Sequence, residues 1–342
     1  MSEPHPYDTA EDAIDAELEF WDDAEPDRPT YGVKQGRYQF PDPPGFQRDK
    51  GQRGFMRMTN LAAAFSDQIR LQHWRERMIL LGLRADEGVL FDELAVAGLE
   101  SMDPEAAKEW LEAHADKAAT RAGSTTGSRR GTARHVMMQT WLETGVIVGH
   151  RTMRLQLESL IEALAAHYLE PVPGFTERVV CNTKYNTCGR IDMVVSCMLT
   201  GQRGILDLKT QRKFWSYQEI AGQQHGYDSA PWMWEGPEDD RGQWIRSPGW
   251  NLTGAPGGEF EGRRVALLAH MPQAPGPEQL PVEIHEVALD YGKDVMEQAL
   301  RNVQLRSIGS SKKAGRRIGA VRNRPVIQAR VGVDSKAIAP VR

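Results

Sequence analysis

Two aspartates and one lysine stand in apolar stretches of this 342-residue chain, where a lone charge would be costly to bury. Asp192 lies in the string GRIDMVV, and Asp207 lies in GILDLKT two residues before Lys209. Side chains at i and i+2 share one face of a strand, so Asp207 and Lys209 are predicted to point the same way, with Leu208 opposite. Two carboxylates can hold a divalent cation, and a nearby ammonium can orient a water or stabilise developing charge. The pattern favours metal-assisted phosphodiester hydrolysis; the alternative is a buried Asp–Lys ion pair at a strand end.

A helix predicted over SYQEIAGQQHGYDSA adds an amide and a phenol to this set. Gln223 and Tyr227 are four residues apart and therefore share one helix face. Such groups can bind phosphate oxygens or a base edge, although an ordinary helix face has the same spacing. His225 lies between them but off that face, so we interpret it as structural or solvated.

The surrounding sequence predicts an α/β fold in which helices come first. Apolar residues recur at helical spacing from Met58, and Asp103 and Pro104 supply a cap and a first-turn proline for the next helix. Two more helices are predicted at about 132–143 and 152–168, the second with a buried apolar stripe that includes its last residue.

From Pro171 the periodicity becomes that of strands. TERVVCNTKY and GRIDMVVSCM predict a hairpin broken around residues 186–189, and GILDLKT predicts a third strand. Two more strands are predicted in RVALLAHM and PVEIHEVAL, and a final helix in DYGKDVMEQALRNVQLRS. Residues 234–262 are read as a Gly/Pro/Trp-rich insertion without clear elements. Its tryptophans could stack on a separated nucleic-acid strand or pack against one another.

The net charge of -5 is a sum of unlike parts. Residues 1–28 carry a net charge of -10 and residues 301–342 a net charge of +10. The two ends could be solvated and disordered, or the basic tail could bind a polyanion while the acidic head competes with it. Three cysteines without a CxxC pair, no long apolar run and an acidic N-terminus lead us to expect a protein of the reducing cytoplasm with no membrane segment.

In their order along the chain, GRID, GILDLKT and EIAGQQHGY resemble the motifs of the PD-(D/E)XK nuclease superfamily, and of its RecB-like and bacteriophage recombination exonucleases in particular. The upstream string GTARHVMMQTWLE, which contains His135, is similar to the histidine-bearing helix of that branch. The four pieces span roughly residues 127–230, and RMTNLAAAFSDQIRLQHW is more weakly similar to the opening segment of phage exonucleases.

The resemblance implies a PD-(D/E)XK restriction-endonuclease-like core, with a mixed central sheet flanked by helices and a helical N-terminal region. It implies a Mg²⁺ or Mn²⁺ ion held by three side chains and one backbone carbonyl, namely those of His135, Asp192, Asp207 and Leu208. It also implies that Lys209 positions or activates the attacking water, and that Gln223 and Tyr227 contact DNA or support the site. Glu177 is a further candidate acid whose place depends on strand register.

Two other features bear on the comparison. Arg129 and Arg130 lie in a Gly/Ser-rich stretch before the His135 helix, where they could bind phosphate at a helix N-terminus or belong to a solvated loop. Several relatives carry an iron–sulfur cluster on four cysteines, whereas this chain has three, so no cluster is predicted.

These observations predict an acidic, mostly disordered head over residues 1–50, a nuclease domain over 51–308 and a basic tail over 309–342. Within the domain, residues 55–170 are predicted to be the helical part and 171–308 the catalytic core. We expect a metal-dependent exonuclease that acts on linear duplex DNA ends in phage-type recombination or repair. The expected partners are DNA, a single-strand annealing protein and other copies of the chain. The alternatives are a structure-specific endonuclease on the same core and a non-catalytic DNA-binding or assembly protein.

Overall fold

The computed structural model describes residues 37–48, 54–66, 69–85, 89, 92–93, 97–149, 151–211, 217–236, 241–272 and 281–310. The acidic residues 1–28 and the tail from residue 311 lie outside the described residues, and so does the prediction of disorder made for them. Contacts group residues up to Val303 into one unit and those from Gln304 onward into another.

The described residues form seven α-helices and one short 3₁₀ helix at Leu99–Ser101. The α-helices are α1 Met58–Ala63, α2 Ile69–Ala85, α3 Pro104–Arg121, α4 Thr126–Thr144, α5 Arg151–Ala166, α6 Tyr217–Asp228 and α7 Leu289–Ser310. The strands are β1 Arg37–Tyr38, β2 Phe55–Arg57, β3 Leu169–Pro171, β4 Arg178–Asn182, β5 Thr187–Ile191, β6 Met193–Cys197, β7 Arg203–Lys209, β8 Trp232–Glu235, β9 Gln243–Arg246, β10 Val265–His270 and β11 Glu283–Ala288.

The strands form two mixed sheets flanked by helices, which confirms the predicted α/β class. The first sheet has the order β1-β2-β5-β4-β8-β9, and the second has the order β11-β10-β7-β6-β3. Pairing is parallel between β2 and β5 and between β7 and β10, and antiparallel elsewhere. The chain passes from the first sheet to the second at Asp192, the single residue between β5 and β6. The stretch from β5 to β6 therefore belongs to both sheets, with Asp192 at the point where it leaves one for the other.

Side chains of β7 alternate between two faces of the second sheet, as the strand period requires. Leu206 and Leu208 point into an apolar core shared with α4 and α5, whose buried members include Met137 and Leu157. Ile205 belongs to a different core cluster, which includes residues of α1, β4 and α7. Asp207 and Lys209 therefore share the face of Ile205, as the i, i+2 spacing predicted.

The helix predicted to begin near Thr132 begins at Thr126, so the Gly/Ser/Thr/Arg stretch before it is helical from residue 126, after a turn at residues 122–125. Glycine is a poor helix former, but a Cβ at Gly131 would lie 2.9 Å from Thr210 Oγ1. The glycine thus lets α4 approach the end of β7 closely, a tertiary requirement that composition does not reveal.

Other predicted boundaries need smaller corrections. The helix from Met58 is interrupted by a turn and bends at residues 64–66, whereas the cap at Asp103 is confirmed because its carboxylate accepts from the amides of Glu105 and Ala106. The hairpin turns at residues 183–186, which places Gly189 inside β5.

The helix predicted to end at residue 168 ends at Ala166. Tyr168, predicted to lie on the buried stripe of that helix, has a positive φ of 56° and is 53% exposed.

The strands at both edges of the first sheet differ from the predicted domain boundaries. Residues 37–48 were assigned to a disordered head, but β1 pairs with β2 and Phe40 is fully buried, so the folded unit begins before residue 50. The predicted insertion supplies β9 and the second half of β8, which extend the first sheet beyond β4. Its tryptophans are buried, Trp234 packs edge-on against Trp244 at 5.0 Å, and the strand-stacking interpretation is therefore wrong.

Among the described residues, none of the helices combines the length and apolar character needed to cross a bilayer.

Candidate active site

A cleft of about 390 Å³ lies beside the crossing between the two sheets. It is lined by most of the residues that the sequence singled out, namely His135, Glu177, Asp192, Asp207, Lys209, Gln223 and Tyr227. These residues come from α4, the residue before β4, the β5–β6 crossing, β7 and α6. Segments distant in sequence therefore converge on one concave, largely polar surface.

Asp192 is held by the strand beside it. Its Oδ2 accepts a hydrogen bond from the backbone amide of Leu208 at 2.6 Å, and the residue is only 8% exposed. Burial alone would raise the pKa of this carboxyl, but the His135 ring, the Lys209 ammonium and the backbone hydrogen bond outweigh it, so the pKa is lowered. The carboxylate form of Asp192 is the one that this arrangement stabilises.

Asp207 and Lys209 share one face as their spacing predicted, and they form the ion pair that the sequence left open as the alternative, with Lys209 Nζ 2.5 Å from Asp207 Oδ2. Burial raises the pKa of Asp207, and the Asp192 carboxylate adds to that rise against the opposing effect of Lys209. For Lys209, burial lowers the pKa, but Asp207 and then Asp192 outweigh it, so the pKa is raised. The lysine is accordingly an ammonium at the floor of the cleft.

The second half of α6 brings the predicted amide onto Asp207 and places the predicted phenol beside that amide. Gln223 Nε2 donates to Asp207 Oδ1 at 3.0 Å and lies 3.1 Å from the hydroxyl of Tyr227. Burial and then the charge of Asp207 raise the pKa of Tyr227 well above its usual value. Gln223 therefore holds the carboxylate of Asp207, and Tyr227 contacts the Gln223 amide. Both side chains also line the cleft.

Gly189 provides the space that this support needs. A Cβ at residue 189 would lie 2.3 Å from Cε1 of Tyr227 and 3.0 Å from Cβ of Met58. The glycine of the GRID string is thus explained by the close approach of the tyrosine ring and not by a turn.

His135 and Glu177 complete a group of potential metal ligands with Asp192. Nδ1 of His135 lies 3.4 Å from Asp192 Oδ1 and 3.8 Å from Glu177 Oε1, and one donor atom from each of the three residues falls within 4.8 Å of the others. Burial lowers the pKa of His135, but Asp192 and then Glu177 outweigh it, so the pKa is raised. Glu177 precedes β4 with a positive φ of 51°, and its amide donates to the carbonyl of Asp192.

This donor set fits a divalent cation. Carboxylate oxygens suit Mg²⁺ or Mn²⁺, and an imidazole nitrogen is compatible with Mn²⁺. The predicted ligand set differs in one respect, because Glu177 groups with His135 and Asp192 while Asp207 is paired with Lys209.

The carbonyl of Leu208, a predicted metal ligand, lies on the side of β7 that faces Asp192. The carbonyl of Lys209 accepts from the amide of Met271, next to β10, whereas the amide of Leu208 points to Asp192. The N–H and C=O of one residue point to the same side of an extended strand, so the Leu208 carbonyl faces the edge on which Asp192 lies.

Arg129 and Arg130 are not brought into the cleft lining. Both lie within α4, as its fourth and fifth residues, so the prediction that they sit in a loop before a helix N-terminus is wrong. Arg129 is exposed and Arg130 is half-buried, with its carbonyl accepting from Arg134 Nη1 at 3.0 Å.

Several cleft residues were not singled out by the sequence. Arg190 lies inside the GRID string, with Nη1 3.8 Å from Glu177 Oε2, so its position beside the motif was an available signal. Tyr38, Arg57 and Thr59 reach the cleft from β1, β2 and α1. Arg57 and Thr59 belong to the RMTNLAAAF segment, so its weak resemblance to phage exonucleases was an available signal. No motif marks Tyr38, and its distance along the chain conceals its role.

The rim of the cleft exposes side chains that can donate hydrogen bonds. Arg57, Thr59 and Thr132 are exposed, and they come from β2, α1 and α4 respectively. A guanidinium and hydroxyls are donors to phosphate oxygens.

Comparison with known proteins gives no further guide, because no family model and no curated protein matches this chain.

Proposed function

We propose that this chain is a metal-dependent deoxyribonuclease with a PD-(D/E)XK-like core, and that it acts as an exonuclease on linear duplex DNA. The observation that carries the proposal is the convergence of Asp192, Asp207 and Lys209 with His135 and Glu177 in one cleft. The order of the sequence motifs supports the exonuclease form.

The chemistry is the addition of water to a phosphodiester. Water attacks phosphorus and gives up a proton to solvent, the bond from phosphorus to one ester oxygen breaks, and that oxygen takes up a proton from solvent. A bound Mg²⁺ or Mn²⁺ ion would polarise the phosphate and lower the pKa of a bound water. Asp192, Glu177, His135 and the carbonyl of Leu208 are the groups that would hold it.

The remaining residues position charge. The Lys209 ammonium is fixed by Asp207, so it can orient the attacking water and stabilise the negative charge that develops on the phosphate. Gln223 fixes the other oxygen of Asp207, which leaves that carboxylate little freedom to rotate. Arg57 and the threonines at the rim can receive the DNA backbone.

The test is digestion of linear duplex DNA labelled at either end, with Mg²⁺ or Mn²⁺ and with EDTA. We expect cleavage that EDTA abolishes, and a loss of about 100-fold or more for Lys209→Met, the size typical of removing one charge-stabilising group. Lys108→Met is the matched control, because Lys108 is exposed on α3.

Full activity of Lys209→Met, or cleavage that persists in EDTA, would refute the proposal. Nicked and closed circular substrates separate the exonuclease from an endonuclease, because only an endonuclease cuts a closed circle. Salt-sensitive DNA binding without any cleavage would instead indicate a non-catalytic DNA-binding protein.

A further inference from the structure

A second cluster of metal-binding side chains lies at the far edge of the second sheet. His270 on β10 is directly opposite Glu283 on β11, and His285 follows Glu283 by two residues. Residues opposite one another, and residues two apart, share one face of a sheet. The register therefore places two imidazoles and one carboxylate on the same face.

The donor atoms are close enough to share an ion. One ligand atom from each of His270, Glu283 and His285 lies within 4.8 Å of the others, and Nε2 of His285 is 3.2 Å from Oε2 of Glu283. In a tetrahedral site with metal–ligand distances near 2.05 Å, donor atoms are about 3.3 Å apart. The His285–Glu283 pair already has that separation, and a donor atom of His270 lies within 4.8 Å of both partners.

His270, the buried histidine of the cluster, makes the kind of hydrogen bond that metal-binding histidines usually make through the ring nitrogen that does not bind the metal. Nε2 of His270 lies 2.8 Å from the carbonyl oxygen of Gln211. A carbonyl oxygen only accepts, so Nε2 carries the proton, and the other ring nitrogen keeps its lone pair in the neutral ring. Hydrogen bonds of this kind fix the tautomer and orientation of a histidine ligand.

We propose that His270, Glu283 and His285 form a second metal site, selective for a borderline transition metal such as Zn²⁺. Two imidazoles and one carboxylate suit Zn²⁺ better than Mg²⁺, which prefers oxygen ligands. Three protein ligands leave a fourth position for water.

The site is separate from the candidate active site, although it lies on the same sheet face. His270 is the register partner of Lys209 on the adjacent strand, but the two ligand groups share no residue. A metal here would fasten the edge strand β11 to β10. Through the His270–Gln211 hydrogen bond it would also hold the backbone that follows Lys209 and Thr210.

The test is calorimetric titration of the full chain with Zn²⁺ and, separately, with Mg²⁺. We expect Glu283→Gln and His285→Asn to weaken one class of Zn²⁺ site at least 10-fold, because losing a ligand costs no less than losing an outer contact. His135→Asn should leave that class intact, since it alters the other cluster, and Mg²⁺ should not occupy it. His167→Asn, at an exposed histidine, is the matched control.

Thermal unfolding with and without Zn²⁺ separates loss of the site from loss of the fold. Zn²⁺ should raise the Tm of the wild-type chain and of His135→Asn, and should raise it less for Glu283→Gln, whose side chain is 60% exposed and removable without disturbing the core. Zn²⁺ affinities and Tm shifts of Glu283→Gln and His285→Asn equal to those of the wild type would overturn the proposal.

Discussion

The Gly189–Tyr227 contact allows a prediction that does not depend on any assumed activity. A Cβ added at Gly189 would meet Cε1 of Tyr227 at 2.3 Å and its Cζ at 3.0 Å. Ordinary carbon contacts begin near 3.4 Å, so the ring would have to withdraw by about 1 Å. Tyr227 is only 3% exposed and has little room to move. We therefore expect Gly189→Ala to lower the free energy of unfolding by about 1–3 kcal/mol, the usual cost of overpacking a core.

A double-mutant cycle isolates the contact. Tyr227→Leu removes Cε1 and Cζ, so it should cost about 2–3 kcal/mol by itself, yet it should relieve most of the clash of Gly189→Ala. The double variant should then be more stable than the sum of the single changes predicts, by about 1–2 kcal/mol. The contact of the new methyl with Met58 Cβ at 3.0 Å remains, which is why the relief is incomplete.

Urea unfolding followed by tryptophan fluorescence supplies the four free energies. As a control, Gly189→Ala is combined with Leu157→Ala, because Leu157 belongs to a different core cluster and the two changes should be additive. If Gly189→Ala and Tyr227→Leu are also additive within about 0.5 kcal/mol, the steric explanation of this glycine is wrong.

Burial lowers the pKa of His225 to about 4, so the unfolded chain binds a proton near pH 6.5 that the folded chain resists. The neutral ring therefore leaves the free energy of unfolding undiminished above pH 6.5, and that free energy falls as pH drops towards 4 because protonation favours the unfolded chain. Between pH 7 and 5 the free energy of unfolding should fall by at most about 2 kcal/mol. His225→Asn should remove this loss in urea unfolding at the two pH values, and equal losses in both proteins would contradict it. Trp234→Ala should cost about 3–5 kcal/mol in the same assay, because the side chain is 2% exposed, whereas Trp74→Ala, at a tryptophan 45% exposed, should change stability by under about 0.5 kcal/mol. A small loss at Trp234 would mean that the aromatic cluster contributes little to folding.

Local periodicity predicted those parts of the site that lie on one element. The shared face of Asp207 and Lys209 follows from the strand repeat, and the shared face of Gln223 and Tyr227 follows from the helix repeat. The ion pair at 2.5 Å lies within β7 itself, so the strand repeat suffices for it. The hydrogen bond of Gln223 to Asp207 requires in addition that α6 packs beside β7.

The features that the sequence did not predict depend on contacts between distant segments. The start of α4 was missed because Gly131 is explained by the approach of Thr210, 79 positions away along the chain. Tyr38 and Arg57 line the cleft only because β1 and β2 join the sheet of β5. The role of the tryptophans in the predicted insertion stayed open because no local pattern shows that Phe40 packs against Trp234, with ring centroids 4.9 Å apart.

The hydrogen bond between Asp192 and Leu208 has a consequence for measurement. The Leu208 amide is bonded to a side chain and not to a neighbouring strand, so its protection from exchange with heavy water depends on where one carboxylate points. Anything that draws Asp192 away from β7 should speed exchange at this one amide, while its neighbours in the sheet stay slow. The exchange rate of the Leu208 amide therefore reports the position of the Asp192 carboxylate, and it can be followed without a substrate.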